Sequence, residues 1–523
     1  MAFVLIGFMG AGKSTLAHEL AAALGGEPQD SDALLAQRLG HPLAQEFELH
    51  GEAAFRAAEE QLVCELLASA GPRTVIALGG GSVLSERVRG MLAEHVTVLL
   101  DVDADTAWER VRASPGGHER PLAREREAFV ALHAAREAIY EQLADAILSE
   151  LALGAGAQVA PALGALAAAP DGTRLLWASA ASGSYPVLVG RGLLGERSAE
   201  QVARIWPLDR SRSRAFCVSD EIVGELYGAR LGRLAGMVTI APGEGHKTLA
   251  SAQRVWSALA GAGMTRADHV VALGGGVVGD LAGFCAATYQ RGVPVVQVPT
   301  TLVAQVDSAY GGKTGVDLPQ AKNYVGAYHQ PAGVLADPDT LATLPPQELS
   351  AGWVEVAKTA LIAGGALWET VAGGHAVDER VILACARTKL AVVAADERDG
   401  GRRQVLNLGH TVGHAIETVT GYARYRHGEA VGLGLLAALT LSGQAQLREQ
   451  VRALMLDRGL PVTIDDDEGE LSVDGILEAV ARDKKRVGDG EVPFVLVSGP
   501  GEVRFGCKVA PAELRAAVAE LRR

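Results

Sequence analysis

The chain has 523 residues, enough for about three domains that each bury a core of their own. Its acidic residues outnumber the basic ones by 62 to 48, and the formal charge of -14 disfavours non-specific binding to nucleic acid or to an anionic membrane. No segment reaches the ~20 uninterrupted apolar residues of a membrane span, and the apolar run at 2–6 lacks the basic flank and length of a signal peptide.

The five cysteines show neither a disulfide framework nor a CxxC metal motif. Their number is odd and none has a close partner in sequence. We therefore expect a soluble protein of the reducing cytoplasm, which binds neither nucleic acid nor membrane.

The first 165 residues alternate short apolar runs with longer helix-like segments. This alternation predicts an α/β domain, a parallel sheet with helices on both faces. The strand-like runs lie at 3–6, 74–78 and 96–100. An Ala/Gly/Pro-rich stretch follows, and we place a linker at 166–173.

Two more domains are predicted after the linker. Residues 174–336 again alternate strand-like and helix-like segments, which predicts a second α/β domain. Its strand-like runs lie at 185–189, 215–218, 270–273 and 295–298. From 337 to 523 the strand signal fades and Ala/Leu/Val-rich helical patterns dominate, so this domain is predicted to be mostly α-helical.

Residues 7–14 match the phosphate-binding pattern GxxxxGK[ST] between a strand-like run and a helix-like segment. The glycines let backbone amides turn toward phosphates, Lys13 reaches the β/γ oxygens of ATP, and the Ser14 hydroxyl ligates Mg²⁺. A Gly-rich turn that merely joins strand to helix would have no use for the Lys-Ser pair. The pattern predicts a P-loop kinase-type domain whose nucleotide site comprises Gly10, Gly12, Lys13, Ser14 and Thr15.

The residues around this loop decide the phosphate acceptor. The relevant segments are 30–32, 51–56, 79–81, 120–122 and Arg136 four residues before Tyr140. Together they resemble shikimate kinase across the whole first domain. The resemblance implies that Asp32 holds the substrate hydroxyls and acts as base, and that Arg56 and Arg136 grip the carboxylate. It also places Gly80 and Gly81 beside the ring.

The same resemblance assigns two further arginines and one carboxylate. Arg120, in a lid-like segment at 114–124, would close over ATP and stabilise the phosphoryl group, while Arg110 would stack on adenine. Asp30 is expected to support Mg²⁺ from behind Ser14, with a helix N-cap as the alternative. Another small-molecule kinase, acting on a nucleotide or gluconate, is the rival within this class.

A second glycine turn, 274–276, follows the apolar run at 270–273 and precedes a helix-like segment. It lacks the GxGxxG order, and a plain tight turn is the alternative. At a strand-to-helix junction its amides would still face a pyrophosphate, which predicts a Rossmann-like dinucleotide site.

Possible metal ligands lie further along the chain. Glu355 and Lys358 are three residues apart and His410 and His414 are four apart, so each pair shares a helix face; His427 follows. A carboxylate with two imidazoles is a sound zinc set with an open position for substrate, and cobalt accepts the same donors. A histidine pair alone would more often lie on the surface or form hydrogen bonds in the core.

Residues 174–523 resemble 3-dehydroquinate synthase. The motifs that carry the resemblance are 242–248, 274–280, 289–292, 299–301, 305–307, 311–313, 406–411 and 427–429. The family's reaction is implied: oxidation of 3-deoxy-D-arabino-heptulosonate 7-phosphate by tightly held NAD, loss of phosphate, re-reduction, ring opening and aldol closure. The domain at 174–336 would bind NAD, and the helical domain at 337–523 would bind metal and substrate.

The resemblance also implies the site residues. Zinc or cobalt would be held by Glu355, His410 and His427. Catalysis and substrate binding are assigned to Asp307, Lys313, Lys322, Asn323, Lys358, Lys389, Arg403, Asn407, His414 and Lys484. NAD would be surrounded by Asp220, Glu244, Lys247, Gly274, Gly275, Gly276, Asp280, Thr300 and Thr301. Arg291 would reach the phosphate in a neighbouring subunit, which implies a homodimer.

Three alternatives stand beside this interpretation. A zinc polyol dehydrogenase would release NADH and need fewer lysines, and a sister cyclase acting on sedoheptulose phosphate would have no carboxylate to bind. A non-catalytic scaffold would be expected to lack Lys13, Asp32 or the zinc set. The favoured reading is a fusion of two enzymes that catalyse non-consecutive steps of the shikimate pathway, with each half active on its own.

Overall fold

The protein is described by a computed structural model that covers residues 1–113, 125–319, 321–464, 471–482 and 492–522. It forms two compact units. The first contains Met1–Ser179, Ser184–Gly190 and Glu200–Pro207; the second contains Ala180–Gly183, Arg191–Ala199 and Leu208–Arg523. The sequence prediction placed the boundary earlier, at 166–173, and divided the second part in two. Those boundaries stay a prediction.

The first unit is an α/β structure. Its strands are β1 (Phe3–Ile6), β2 (Pro28–Asp30), β3 (Val75–Ala77), β4 (Val96–Asp101), β5 (Ala146–Ser149), β6 (Arg174–Ala180) and β7 (Gly183–Val189). Its helices are α1 (Lys13–Leu24), α2 (Ser31–Leu39), α3 (Leu43–Ser69), α4 (Glu86–Leu92), α5 (Ala104–Ala113), α6 (Arg126–Leu143), α7 (Gly156–Ala167) and α8 (Ala199–Ile205).

The sheet of this unit runs in the order β2-β3-β1-β4-β5-β6-β7, and the pairs from β2 to β6 are parallel. All four residues of β1 are buried, as expected for a central parallel strand covered on both faces. β6 pairs with β5 in parallel, Leu175 opposite Ala146, which explains why residues beyond the predicted linker group with the first unit. The three strand-like runs predicted in the first 165 residues are confirmed as β1, β3 and β4.

The second unit begins with a further α/β layer. Its strands are β8 (Ala215–Asp220), β9 (Gly236–Ile240), β10 (His269–Gly274), β11 (Val295–Pro299), β12 (Lys313–Leu318), β13 (Ala321–Tyr328) and β14 (Gly333–Ala336), with helices α9 (Glu221–Tyr227), α10 (Leu249–Gly261) and α11 (Gly276–Thr288). The sheet order is β14-β11-β10-β8-β9, all parallel, and β12 and β13 form a separate antiparallel hairpin.

The remainder of this unit is mostly helical, as predicted. Its helices are α12 (Pro346–Ala363), α13 (Gly365–Ala372), α14 (Glu379–Ala395), α15 (His410–Val419), α16 (His427–Leu441), α17 (Ala445–Leu456), α18 (Val473–Ala481) and α19 (Pro511–Glu520). An antiparallel hairpin of β15 (Phe494–Gly499) and β16 (Glu502–Cys507) is the exception that the sequence prediction missed.

The α/β fold class is confirmed in both units. All five cysteines lie within the described residues and are free thiols, four of them buried. Among the described helices none combines the length and the apolar character that a bilayer span requires.

Candidate active sites

The loop between β1 and α1 has the expected form of a phosphate cradle. Gly12 is left-handed, with φ of 101°, at the N-cap of α1, so the amides of the first helical turn face the loop. The Lys13 ammonium donates to the carbonyls of Gly7 and Phe8 over 2.9 and 3.0 Å. The Lys13 side chain therefore lies over the loop. Thr15 is exposed in the first turn of α1.

Ser14 and Asp30 meet at the edge of this loop. The Ser14 hydroxyl donates to Oδ2 of Asp30 over 2.5 Å, while Oδ1 of the same carboxylate accepts from the amides of Asp32 and Ala33. Asp30 thus caps α2 and at the same time accepts a hydrogen bond from the hydroxyl that is predicted to ligate Mg²⁺. The two roles that the sequence left as alternatives are compatible.

The residues predicted to bind the phosphate-accepting substrate lie against the glycine turn at 79–81. A Cβ on Gly79 would lie 2.5 Å from Oδ1 of Asp32, and one on Gly81 would lie 2.2 Å from Nη1 of Arg56. Both side chains therefore lie against glycines that leave room for them. The Arg56 Nη1 donates to Oε2 of Glu59 over 2.6 Å.

Glu59 is a functional candidate that the sequence prediction missed. It is 4% exposed and also accepts from the Ser82 hydroxyl over 2.8 Å, so the carboxylate is fixed at both oxygens. Its position three residues after Arg56 in α3 was the available signal, because residues at that spacing share a helix face.

Arg136 reaches the same turn from α6. Its Nη1 donates to the Gly80 carbonyl over 3.1 Å, and the Tyr140 hydroxyl donates to that carbonyl over 2.5 Å. Burial raises the pKa of Tyr140 to about 12, so the phenol stays a donor. Arg136 is thereby brought beside Asp32 and Arg56 through the glycine turn.

The resemblance assigned two arginines, Arg110 and Arg120, to the nucleotide. Arg110 donates to Oε2 of Glu150 over 2.6 Å, and its other terminal nitrogen, Nη1, is buried without a hydrogen-bond partner among the described residues. Arg120 lies outside the described residues. Its lid role stays a prediction.

The second unit brings the three predicted metal ligands together. Oε1 of Glu355 lies 3.6 Å from Nε2 of His410 and 3.7 Å from Nε2 of His427. Two donors on a tetrahedral zinc ion, each about 2.1 Å from it, are about 3.4 Å apart, so these spacings fit one ion. Glu355 is 1% exposed, and its Oε1 has no hydrogen-bond partner in the described part of the chain, which such an ion would supply.

The hydrogen bonds of the two histidines set their tautomers. Nδ1 of His410 lies 3.1 Å from the carbonyl oxygen of Leu408, and Nδ1 of His427 lies 3.3 Å from Oε1 of Glu417. Both partners are acceptors, so each Nδ1 carries the proton and each Nε2 carries the lone pair that a metal needs. His414 adds a third imidazole, with ligand atoms of all three histidines within 4.8 Å of one another.

Glu417 is the second residue that the sequence prediction missed. It lies on α15, 2% exposed, and its Oε1 contacts both His427 and the Lys322 ammonium, the latter at 3.1 Å. Burial opposes its charge, but the hydrogen bond and charge of His427 together with Lys322 lower the pKa of Glu417 to about 2. The spacing from His414, three residues, was the signal.

Two buried lysines lie beside the predicted metal ligands. Lys389 Nζ lies 2.8 Å from Oδ1 of Asp307, and Lys358 Nζ lies 2.5 Å from Oε2 of Glu355 and 3.9 Å from Asp307. Burial opposes the charge on Lys358, but Asp307 and Glu355 raise its pKa, so it stays an ammonium. Burial lowers the pKa of Lys389, although Asp307 opposes this.

A second charged cluster surrounds Lys247. Its Nζ donates to Oδ1 of Asn323 over 2.7 Å and lies 3.1 Å from Glu244 and 3.2 Å from Asp280. Lys322 lies 3.3 Å from the same Glu244 oxygen and so connects this cluster to Glu417. A cavity of about 680 Å³ opens here, lined in part by Lys322, Asn323, His414 and Glu417.

The glycine turn at 274–276 has the form of a dinucleotide cradle. Gly275 caps α11 at the carboxyl end of the parallel strand β10, and a Cβ there would lie 2.9 Å from Thr301. Gly274 accepts from the Thr300 amide over 3.0 Å. The Thr300 hydroxyl is buried with no hydrogen-bond partner among the described residues, so a bound phosphate or ribose would satisfy it.

The other predicted residues have contacts of their own. Arg403, 1% exposed, donates to the carbonyls of Gly311 and Glu397, and Lys313 Nζ lies 2.6 Å from Asp399. Asn407 ends a 3-10 helix, Arg402–Asn407. Asp220 caps α9 through the Val223 amide, and Arg291 is exposed in a turn after α11 with φ of 68°. Lys484 lies outside the described residues.

Comparison with known proteins decides the family. Residues 237–351 match the family model "3-dehydroquinate synthase N-terminal" and residues 352–486 match "3-dehydroquinate synthase C-terminal". The 3-dehydroquinate synthase of Symbiobacterium thermophilum is 44% identical over 360 residues, which cover 65% of this chain and 98% of that protein. The chain belongs to the 3-dehydroquinate synthase family.

One further relative carries the same name, and one solved structure of a differently named synthase is similar in fold and sequence. The synthase of Caulobacter vibrioides is 42% identical over 359 residues, which cover 64% of this chain and 96% of that protein. The structure of 2-epi-5-epi-valiolone synthase from Streptomyces hygroscopicus, with NAD+ and Zn2+ bound, is 27% identical with a TM-score of 0.57, covering 64% of this chain and 96% of that one.

A different family model matches part of the first unit. Residues 9–160 match the family model "Shikimate kinase". The chain is therefore a fusion of a shikimate kinase domain with a 3-dehydroquinate synthase. It is a bifunctional enzyme of the shikimate pathway with both activities.

Proposed function

We propose that the synthase half binds NAD and one zinc or cobalt ion, and that the kinase half binds ATP with Mg²⁺. The observation that carries the first part is the meeting of Glu355 Oε1 with Nε2 of His410 and of His427 at 3.6 and 3.7 Å. The NAD+ and Zn2+ in the valiolone synthase structure support the same pair of cofactors. When bound, NAD supplies a reversible hydride acceptor and the metal supplies a Lewis acid for a substrate oxygen.

The residues around this centre suit a polyhydroxylated phosphate ester with a carboxylate, here 3-deoxy-D-arabino-heptulosonate 7-phosphate. Lys358, held as an ammonium, and Lys389 flank Asp307 beside the metal ligands. His414 faces the same point as His410 and His427 and is placed to move a proton. The other substrate contacts are proposed for Lys313, Lys322, Asn323, Arg403, Asn407 and Lys484.

Dinucleotide binding is proposed at the glycine turn and the Lys247 cluster. The α11 N-terminus at the end of β10 faces a pyrophosphate with its amides, and the buried Thr300 hydroxyl lacks a partner among the described residues. Lys247, held by Glu244, Asp280 and Asn323, supplies a fixed ammonium. The further contacts are proposed for Asp220, Gly274, Gly275, Gly276 and Thr301.

In the kinase half we propose that the cradle around Lys13 and Ser14 holds the nucleotide, with Gly10, Gly12, Thr15, Arg110 and Arg120 as further contacts. Shikimate would lie at the 79–81 turn. Arg56 and Arg136 reach that turn from different helices, which suits bidentate binding of a carboxylate, and Asp32 is placed to accept a hydroxyl proton.

We further propose a cytoplasmic homodimer formed through the synthase half, without nucleic-acid or membrane partners. The exposed Arg291 would complete the site of the partner subunit. Mixing Arg291→Ala protein with His410→Ala protein tests this. We expect synthase activity to be restored in the mixture, because each hybrid dimer contains one intact site. If subunits exchange and activity is not restored, Arg291 does not have this role.

One assay of the full chain tests both assignments. With the heptulosonate phosphate, NAD and zinc, inorganic phosphate should be released without net NADH, and with shikimate and ATP, ADP should form. Glu355→Gln is expected to abolish the first reaction and leave the second, while Lys13→Met should do the reverse. Accumulation of NADH would instead indicate a polyol dehydrogenase.

A further inference from the structure

The buried carboxylate of Glu417 lies behind the proposed metal ligands on α15, the helix that begins at His410. Glu417 is seven residues after His410 on α15, two helical turns along the same face. It is 2% exposed. A buried carboxylate needs hydrogen-bond or ion-pair partners, and the partners of Glu417 indicate its role.

One oxygen of Glu417 holds His427 in a fixed orientation. Oε1 lies 3.3 Å from Nδ1 of His427, so the ring is anchored at the nitrogen opposite the one that faces Glu355. His427 is also the most exposed of the three proposed ligands, with a side chain 35% exposed against 12% for His410 and 1% for Glu355. Packing constrains it least, so its orientation depends most on a hydrogen bond.

The carboxylate is itself held in place by Lys322. The ammonium lies 3.1 Å from Oε1 of Glu417 and 3.3 Å from Oε1 of Glu244. Lys322 is on the β13 hairpin strand, and Glu244 belongs to the cluster around Lys247. The carboxylate therefore lies between the imidazole and a cation that is tied to a second element.

From these contacts we propose that Glu417 is a positioning residue for the metal site, which fixes the ring of His427 and keeps its Nε2 directed at the shared centre. This inference rests on the proposed metal ligands. Residues that accept a hydrogen bond from a ligating histidine hold the tautomer and the ring angle, and their loss weakens metal binding by about 10–100-fold.

Zinc affinity of the full chain tests the proposal without an activity assay. The apo-protein competes with a chromophoric chelator for Zn²⁺, and Co²⁺ spectra report the ligand geometry. Glu417→Ala, which removes the acceptor, is expected to weaken zinc binding by about 10–100-fold. Glu417→Gln keeps an acceptor oxygen without the charge, so a smaller loss is expected, with a shifted cobalt spectrum in both variants.

Glu478→Gln is the matched control. Glu478 lines the same cavity but is 69% exposed and contacts Arg482 alone among the ion pairs of the described residues. The Glu478→Gln protein should bind zinc with the affinity of the wild type. Kinase activity of the same preparations confirms that the chain is intact, and thermal unfolding of the apo-proteins separates a general loss of stability from a loss of affinity.

Zinc affinity within twofold of the wild type in both Glu417 variants would overturn the proposal. If Glu417→Ala does not fold, the isosteric Glu417→Gln decides, and unchanged affinity and cobalt spectrum in that variant would again reject it. The ligand assignment fails separately: Glu355→Gln or His410→Ala retaining wild-type zinc affinity would remove the metal site itself.

Discussion

The hydroxyl of Ser14 donates to one oxygen of Asp30, and the other oxygen of that carboxylate caps the helix that carries Asp32. One carboxylate thus connects Ser14, the proposed Mg²⁺ ligand, to the start of α2, which carries Asp32. The relationship fixes two parts of the kinase site relative to each other, since both depend on the position of Asp30.

Asp30→Asn separates these two roles. The asparagine keeps an oxygen for the amides of Asp32 and Ala33, but it removes the charge beside Ser14. Loss of one charge-assisted interaction of about 1.5–3 kcal/mol is expected to lower kinase kcat/KM by about tenfold to a hundredfold and to raise the Mg²⁺ concentration needed for half-maximal rate. Steady-state kinetics over a Mg²⁺ titration, with synthase activity as internal control, checks this; an unchanged Mg²⁺ dependence would contradict it.

Glu59 is expected to act through Arg56. Because Glu59 holds the guanidinium at 2.6 Å, Glu59→Gln should loosen it and raise KM for shikimate by about tenfold, with KM for ATP within twofold of the wild type. Glu52→Gln is the matched control, since Glu52 is 65% exposed and lies 3.5 Å from Arg56. Equal effects of the two substitutions on KM for shikimate would argue against the role of Glu59.

Functional residues that form a local sequence pattern could be predicted from the sequence. The loop at 7–14 is a local pattern, and His410 and His414 share a helix face by spacing alone, so these features needed no tertiary information. Residue type named Glu355 and His427 as possible ligands, and only the resemblance assigned these two residues, far apart in sequence, to one ion. The structure brings them within 3.7 Å of each other, a result that spacing could not have given.

The sequence prediction missed two glutamates that hold other functional side chains in position. Glu59 and Glu417 look like ordinary helical glutamates until the packing shows that each is buried against a functional side chain. The β12 and β13 hairpin was also missed, because β13 shows neither a buried run nor a clean alternation. Such features depend on long-range contacts.

We expect the second unit to lose stability in acid because of His269. It is fully buried on β10, with Nδ1 2.7 Å from the Ser213 hydroxyl, and burial lowers its pKa to about 4, helped by the charge of Arg210 and opposed by Asp268. In the unfolded chain its pKa is about 6.5, so on acidification the unfolded state takes up the proton first. The free energy of unfolding should therefore fall by about 2–3 kcal/mol between pH 6.5 and 4 through this residue.

Unfolding temperature measured against pH checks this contribution. His269→Phe cannot take up a proton and should flatten the curve between those pH values, even if its stability at pH 7 is lower. His375→Gln, at an exposed histidine, should keep the wild-type slope. A wild-type slope in His269→Phe as well would show that other groups account for the acid sensitivity.

Gly434 controls the approach of the two helices that carry the histidines. A Cβ there would lie 2.0 Å from the Gly409 carbonyl oxygen, which is backbone and cannot move aside without shifting α15 against α16. Gly434→Ala should therefore destabilise the second unit by about 1–3 kcal/mol or more and weaken zinc binding, because His410 and His427 begin those helices. Gly261→Ala, where no atom lies within 4 Å of the new Cβ, should leave both unchanged or raise stability slightly. Calorimetry and chelator competition measure the two effects, and full retention of both in Gly434→Ala would show that the helix spacing is not needed to assemble the metal ligands.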